Sequence, residues 1–398
     1  MDNDITFLNL ANIRDLEKGA IFPQMPDLAL IYLSEYIDRK GFTTQVFDEH
    51  VDGSIGDNPH LFHSTRYIGI SMYGLNNSLN LQRIKKWKQK YPKVKFILGG
   101  SSVGFDIAEK LKFVDYQVIG RGYEPLISIL SNKKTPSIIH GELGFEKDFA
   151  FQFHLTHLEK YNSAAVLSTF GCPYRCSFCL SNKLKKFKVR KRQNVLAELD
   201  LILRAPSIKY FEFFDDILVL NPFLKQYLNR VKAKKPWGCV SDVRTYDDGL
   251  MEEMVDSGMI TIGFGFESLN DLTLRALNKR QTLDRIEICL RGMSKLAKTS
   301  RVRPHAFLMY GLPYQTKDDF LRELDRVESY GFFTQSTHLK VIPGTTLWSE
   351  RNKYGIEIDS EGMVFKTSWA GEDDLNLIDE IMEKKNKESI AGIWGGLL

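Results

Sequence analysis

The stretch Ala165-Val166-Leu167-Ser168-Thr169-Phe170-Gly171-Cys172-Pro173-Tyr174-Arg175-Cys176-Ser177-Phe178-Cys179 decides how the chain is read. Its first five residues, led by Ala165-Val166-Leu167, read as a short buried strand. Three thiols follow within eight residues, spaced C-x3-C-x2-C on the loop after that strand. Three thiolates can hold three irons of a cubane cluster, and the fourth iron stays open to a small molecule that chelates through an amine and a carboxylate. Zinc is an alternative, but a closed structural zinc site takes four ligands and no fourth Cys or His lies nearby. Three buried cysteines without metal is the bland reading. The spacing, with Gly171 and the aromatic Phe178 inside the motif, weighs against it.

Outward from this motif, the chain has 398 residues, 43% apolar and 26% charged, enough for two or three domains with their own cores. Mean hydropathy is −0.25, and no apolar run reaches the ~18 residues of a membrane span. Met1 to Leu10 carries acids where a signal peptide carries positive charge, so a cytoplasmic protein is expected. Net charge is +4, from 54 basic against 50 acidic residues, too small to imply nucleic acid. Five cysteines do not make a disulfide scaffold in a chain of this length. Cys239, alone inside a strand pattern, reads as a small core residue.

Strand and helix patterns alternate from the start: strands at 5–10, 43–47, 67–71, 94–98 and 115–119, with helices near 27–39, 79–90 and 105–112. This order implies a Rossmann-like, doubly wound parallel sheet over residues 1–130. Such sheets bind ligands beyond the carboxyl ends of their strands, where Gly74, Gly99, Gly100, Gly120 and Gly122 fall. Residues 131–160 read as a linker. A second α/β run over 161–348 has strands expected at 165–169, 210–214, 238–242, 260–266, 304–310 and 337–342, a partial (β/α)6 barrel with its chemistry at the strand C-terminal ends. Residues 349–398 form a C-terminal helical segment, with a helix at 373–387, that covers the barrel mouth or meets another subunit.

The cysteine motif resembles that of the radical S-adenosylmethionine (radical SAM) enzymes, whose most specific mark is C-x3-C-x-aromatic-C. Further marks follow in the family's order: Phe213-Phe214-Asp215-Asp216, Gly263-Phe264-Gly265-Phe266-Glu267-Ser268, Leu274, Leu277-Asn278-Lys279, Gly311-Leu312-Pro313 and Pro343-Gly344-Thr345. The resemblance implies a four-iron four-sulfur cluster on Cys172, Cys176 and Cys179. It also implies SAM bound through its amino and carboxylate groups, and reductive cleavage of SAM to a 5′-deoxyadenosyl radical. Glu267 would accept bonds from the ribose hydroxyls. Gly263, Gly265 and Gly311 would admit adenine to the backbone, Arg244 would meet the SAM carboxylate, Ser268 and Phe178 would line the same site, and Asp215 and Asp216 would touch SAM or substrate or only cap the strand end. Lys183 to Arg192 holds seven basic residues in ten. It reads as a solvated loop, with Arg190 or Arg192 as a candidate near SAM and an anionic substrate as a third possibility. His154, His157, His305 and His338 read as structural or surface groups.

The first 125 residues resemble the cobalamin-binding domain of one large radical SAM subgroup. The shared marks are Ser71-Met72-Tyr73-Gly74, Leu98-Gly99-Gly100-Ser101 and Gly120-Arg121-Gly122-Tyr123-Glu124-Pro125. The alternative is an ordinary Rossmann-like domain whose glycines only turn the chain. Asp48-Glu49-His50-Val51-Asp52-Gly53 spells the D-x-H-x-x-G motif of other cobalamin proteins, but it follows the second strand rather than the first, so His50 is not expected to ligate cobalt. No cysteine precedes Cys172, which sets aside the methylthiotransferases with a second N-terminal cluster.

The resemblance therefore implies methyl transfer to an unactivated carbon, with cobalamin and SAM as cofactors, a small-molecule or peptide substrate, and an electron donor such as flavodoxin or ferredoxin. A radical SAM enzyme of another reaction type (oxidation, epimerisation, ring formation) and a non-catalytic iron–sulfur or cobalamin sensor are the alternatives. The SAM-site marks beyond the cysteines argue against the sensor.

Overall fold

The computed structural model describes residues 3–11, 24–72, 78–100, 103, 111–142, 148–151, 158–181, 187–359 and 362–395. The chain divides into two compact units, residues 1–147 with 151–162, and residues 148–150 with 163–398.

In the first unit the elements run β1 (Asn3–Asn9), α1 (Leu28–Asp38), β2 (Thr44–Asp48), β3 (Thr65–Ser71), α2 (Ser78–Lys90), β4 (Lys95–Gly99), β5 (Tyr116–Ile119), α3 (Tyr123–Leu130) and β6 (Ile138–His140). Helix α1 begins where the Asp27 carboxylate accepts the Leu30 N–H at 3.0 Å, the usual N-cap bond. The six strands are parallel, in the order β2-β1-β3-β4-β5-β6. Successive strand residues point to opposite faces, and both faces are apolar. Leu8, Ile68, Ile70, Phe96 and Leu98 pack with Ile84 of α2. Ile5, Phe7, Tyr67, Ile97 and Val118 pack with Leu30 of α1 and with Leu126 and Ile129 of α3. The chain steps from β1 to β2 on one side and returns to β3 on the other, so β1 and β3 flank the switch point where open sheets take ligands.

Residues 131–160, expected as a linker, instead contribute the sixth strand of this sheet: Gln117, Val118 and Ile119 pair with Ile138, Ile139 and His140. The strand has only three residues, two of them exposed, so it carries no apolar alternation. The expected helix at 105–112 lies largely outside the described residues.

The second unit runs β7 (Ser163–Val166), α4 (Arg192–Arg204), β8 (Tyr210–Phe213), α5 (Leu224–Val231), β9 (Trp237–Asp242), α6 (Asp248–Asp256), β10 (Met259–Glu267), α7 (Asp271–Ala276), α8 (Leu283–Thr299), β11 (Arg303–Tyr310), α9 (Lys317–Ser329), β12 (Phe333–His338) and α10 (Glu372–Trp394). Its six strands are parallel and lie in sequence order from β7 to β12. On the helix-covered face Phe213 packs edge-on to Trp237 and stacks with Tyr227 of α5, and Phe264 and Phe266 are buried. The opposite face of β9 and β10 carries Gly238, Gly263 and Gly265. Arg190, a candidate SAM neighbour, is a core residue here. It donates to both Glu198 oxygens at 2.8 and 2.6 Å, to Asp148 and to two backbone carbonyls. Arg192 reaches Gln226 at the surface.

The sixth strand lies at 333–338, not 337–342. Its sequence is polar because its outer edge is finished by side chains of α10. Asn386 donates to the Ser336 carbonyl at 2.7 Å and accepts the Ser336 N–H at 2.8 Å, and Ser389 accepts the Thr334 N–H. An open strand edge invites pairing with another chain, and α10 closes this one. The far end of the helix is tied to the strand beginnings. Arg303 donates to the carbonyls of Gly392, Ile393 and Gly395, and Trp394 meets Tyr210 edge-on at 5.1 Å. The C-terminal helix thus ends at the strand N-terminal ends, opposite the cysteine loop. It does not end at the mouth.

Asn386→Ala should cost about 1–3 kcal/mol, because it leaves a buried donor and acceptor of β12 unpaired. Denaturant unfolding reads the loss, and exchange of the Ser336 amide should accelerate while that of β8 and β9 does not.

Candidate cofactor-binding site

Cys172 and Cys179 are half-buried, Cys176 is buried, and all three are free thiols. Their loop is held from below by the stretch after α7. Ser177 N–H donates to the Leu277 carbonyl at 2.8 Å, and its hydroxyl to that of Ala276. The Asn278 side chain donates to the Arg175 carbonyl at 2.7 Å. From the other side Leu347 N–H donates to the Ser177 carbonyl. Tyr174 lies against the Arg244 guanidinium, 3.4 Å from ring centre to charge. Burial pushes the Cys172 thiol up to about 11 and raises Cys176, while Lys279 and Arg244 act in the opposite direction on Cys176. Burial keeps these thiols protonated on their own; a metal binds the thiolate, and the neighbouring cations favour that form. Among the described residues, no three His, Cys, Asp or Glu side chains converge on one point as a single-ion site requires.

Directly beneath the loop lies a buried ionic network. Lys279 Nζ sits 3.0 Å from Glu267 Oε1 and 3.1 Å from Asp242 Oδ2. Burial works against the ammonium, yet the two carboxylates hold Lys279 above the ordinary lysine range. Asp242, at the end of β9, also takes a two-point contact from Arg244, Nε to Oδ1 at 2.6 Å and Nη2 to Oδ2 at 2.7 Å. Despite burial, these bonds keep its carboxyl below the usual value. Glu267 ends β10 with φ +65°, just past an irregularity in the β10–β11 register. Such left-handed backbone at a non-glycine residue costs about 1–3 kcal/mol and persists only where its surroundings impose it. Gly265 is required below it: a Cβ there would come within 2.8 Å of Glu267 Oε1 and 2.9 Å of Lys279 Nζ. The second oxygen of Glu267 takes no hydrogen bond among the described residues.

Asp242 and Lys279 were not among the expected site residues. Both signals were in the sequence: Asp242 stands two residues before Arg244, and Lys279 closes the Leu277-Asn278-Lys279 mark. Other expectations move. Asp215 is fully buried and spends its oxygens on the N–H and hydroxyl of Ser168 and the hydroxyl of Thr169; it ties the end of β8 to that of β7, the strand-end alternative to a ligand contact. Ser268 is buried and donates to Glu323 of α9 at 2.6 Å, a packing role. Arg244 is engaged by Asp242 and Tyr174 before any ligand arrives. Gly263 is glycine because a Cβ would press on His305 and Phe307, and Gly311 has φ +77° beside His338. Phe178 is half-buried in the loop.

In the first unit, Ser71 and Gly99 are register partners at the ends of β3 and β4. Gly100, with φ +99°, lies so close to the strand end that a Cβ would sit 2.6 Å from the Met72 carbonyl; among the described residues a Cβ at Gly99 would meet Val118 alone, at 3.7 Å. Gly100 is thus fixed by internal packing, and the described residues leave room at Gly99. Gly120 (φ +87°) turns against Gly141, and Gly122 against Leu33 and Leu126. Glu124 accepts from Tyr36 at 2.7 Å, a contact between α3 and α1. Tyr73, Gly74 and Ser101 lie outside the described residues. His50 follows the edge strand β2, with β1 between it and the switch point. Its Nδ1 lies 2.8 Å from Asp48, a buried carboxylate that also accepts from Tyr161.

Residues 166–327 match the Radical SAM superfamily. An uncharacterized methyltransferase of Pyrococcus horikoshii is 26% identical over 257 residues, 59% of this chain and 50% of that one; the chain spans half the length of that curated relative. The fold is similar to the radical SAM methyltransferase TsrM of Kitasatospora setae, solved with tryptophan substrate and a SAM analogue, at a TM-score of 0.70 and 14% identity over 89% of this chain and 78% of that one. It is also similar to the cobalamin-dependent radical SAM enzyme OxsB, solved with aqua-cobalamin and SAM, at 0.72 and 16% identity over 95% and 66%. Residues 166–327 of the second unit are thus a Radical SAM superfamily domain.

Proposed function

We propose that the protein is a cobalamin-dependent radical SAM enzyme that transfers a methyl group to an unactivated carbon. The observation that carries the reading is the Asp242–Lys279–Glu267 network under the cysteine loop, which sets two cations beside three thiols and leaves a carboxylate oxygen free at the strand end. The donor set fits: Cys172, Cys176 and Cys179 would hold the cluster, and the charges of Lys279 and Arg244 would balance a set of thiolates. Cys172, Cys176 and Cys179 would thus hold a group that, once reduced by a donor such as flavodoxin or ferredoxin, would supply the electron for cleaving SAM.

This chain's own residues bind and orient. Asn278 and Leu277 fix the loop that carries the thiols. Lys279 pins one oxygen of Glu267 and so aims the other, which would accept from the ribose hydroxyls of SAM. In the first unit, Ser71 and Gly99 beside the β1/β3 switch point would line the cobalamin crevice. Methyl transfer, as opposed to another radical outcome, is supported by the methyltransferase relatives at low identity.

Glu267→Gln should weaken SAM binding about tenfold or more, since charge-assisted bonds are worth about 1.5–3 kcal/mol each, while cluster absorbance is unchanged. Equilibrium dialysis with SAM reads the affinity; an unchanged value assigns Glu267 to structure alone.

For the first unit, hydroxocobalamin is added, the protein desalted, and corrin absorbance read. Wild type and His50→Ala should retain it, and Gly99→Val should lose it without loss of thermal stability. Gly100→Val is uninformative, because it disturbs Met72 whether or not a ligand binds. Wild type that retains no corrin would reduce the unit to a scaffold and remove cobalamin from the proposed reaction.

A further inference from the structure

The glycine-bearing face of the second sheet holds a group of polar side chains that the cofactor site does not use. Tyr210 and Glu212 share one face of β8, because Phe211 and Phe213 point to the helices. Glu212 is the register partner of Gly238, which pairs in turn with Thr261; Gly263 pairs with His305. A Cβ at Gly238 would meet the Tyr210 hydroxyl and Thr261, and one at Gly263 would meet His305 Nε2. The Tyr210 hydroxyl and His305 Nε2 therefore fill the space that the two glycines leave bare, and they stand with Glu212 at the rim of a hollow that keeps accessible surface.

Three observations mark it as a place for a ligand. The Tyr210 hydroxyl is buried and has no hydrogen-bond partner among the described residues, although a buried hydroxyl normally has one. Glu212 has no hydrogen bond or ion pair among the described residues, yet it keeps some accessible surface while burial lifts its carboxyl to about 7. A packed side chain has no such surface; a group lining a cavity does. Val240 and Phe307, midway along their strands, and Met309, next to the end of β11, keep accessible surface as well.

The chemistry of the lining is one-sided. Glu212 offers carboxylate oxygens, and Tyr210 offers hydroxyl lone pairs. Burial lowers His305 to about 4, so its ring is neutral at pH 7. His305 Nδ1 lies 3.3 Å from the Thr261 hydroxyl; in the tautomer whose Nδ1–H donates to that hydroxyl, Nε2 is an acceptor. An ammonium beside Glu212 draws its carboxyl to the ionised form, so these acceptors, one of them then anionic, match the N–H donors and the charge of a primary ammonium.

We propose that this hollow, lined by Glu212, Tyr210 and His305, seats a primary ammonium group of the substrate. The proposal rests on the radical SAM reading of the second unit and adds a substrate class to it. A carboxylate there would place charge against Glu212, and an apolar group would leave Tyr210 unpaired.

The test uses the full chain and two probes of matched shape, benzylamine and benzyl alcohol, titrated without SAM or reductant. Wild type should bind the amine about tenfold or more tightly than the alcohol. Glu212→Gln should erase the preference. Tyr210→Phe should weaken amine binding while leaving the apoprotein's melting temperature unchanged or higher, because the hydroxyl it removes has no partner. Equal affinity for the two probes, no binding of either, or a preference that survives Glu212→Gln overturns the proposal. Deoxyadenosine formation by wild type, measured separately under reducing conditions, reports on the radical SAM reading alone, so failure of one cannot be mistaken for failure of the other.

Discussion

The second unit is organised around one buried ammonium. Lys279 is nearly inaccessible and stands between Glu267 and Asp242, which close two neighbouring strands. An isolated charge at that depth costs several kcal/mol, and deleting one partner of such a pair typically costs about 3–5 kcal/mol. The pairing therefore constrains everything attached to it. Asp242 brings Arg244, and Arg244 brings Tyr174 of the cysteine loop. Asn278, one residue before the lysine, binds the same loop through Arg175. The left-handed backbone of Glu267 and the bare Gly265 below it are the local accommodations that let the carboxylate reach Lys279.

The fold was legible where apolar pattern and glycine stops coincide. Leu8 and Phe7, or Ile68 and Tyr67, alternate between two covered faces, and that pattern implies a doubly wound sheet. The pattern fails at edges. Ile138–His140 is too short and exposed to register as a strand, and Phe333–His338 is polar because Asn386 and Ser389, some fifty residues onward, complete its backbone bonds. In the site, the cysteines and Glu267 could be read from spacing and resemblance. Whether a charged residue is spent internally could not. Arg190, Asp215 and Ser268 look like ligand contacts in sequence and are satisfied by Glu198, Ser168 and Glu323 in space. The reverse holds for Tyr210 and Glu212, ordinary strand residues in sequence whose lack of partners appears only once the sheet is assembled.

Function is divided between the two ends of the second sheet. The strand C-terminal ends carry thiols and charges. The N-terminal ends are occupied by the last turns of α10, held by Arg303 and Trp394. With the lower end filled and the outer edge of β12 capped, the glycine-lined face has accessible surface above Glu212, toward the end where Lys279 and Glu267 lie.

The central claim is that three thiols beside this ion network carry one cubane cluster that cleaves SAM. The direct measurement is iron content and 5′-deoxyadenosine formation after anaerobic reconstitution and reduction, for wild type and for the Cys172→Ala, Cys176→Ala, Cys179→Ala triple variant. The account predicts about four irons per chain and deoxyadenosine for wild type, and neither for the variant. Stoichiometric zinc with no iron uptake, or iron that persists in the triple variant, would contradict it.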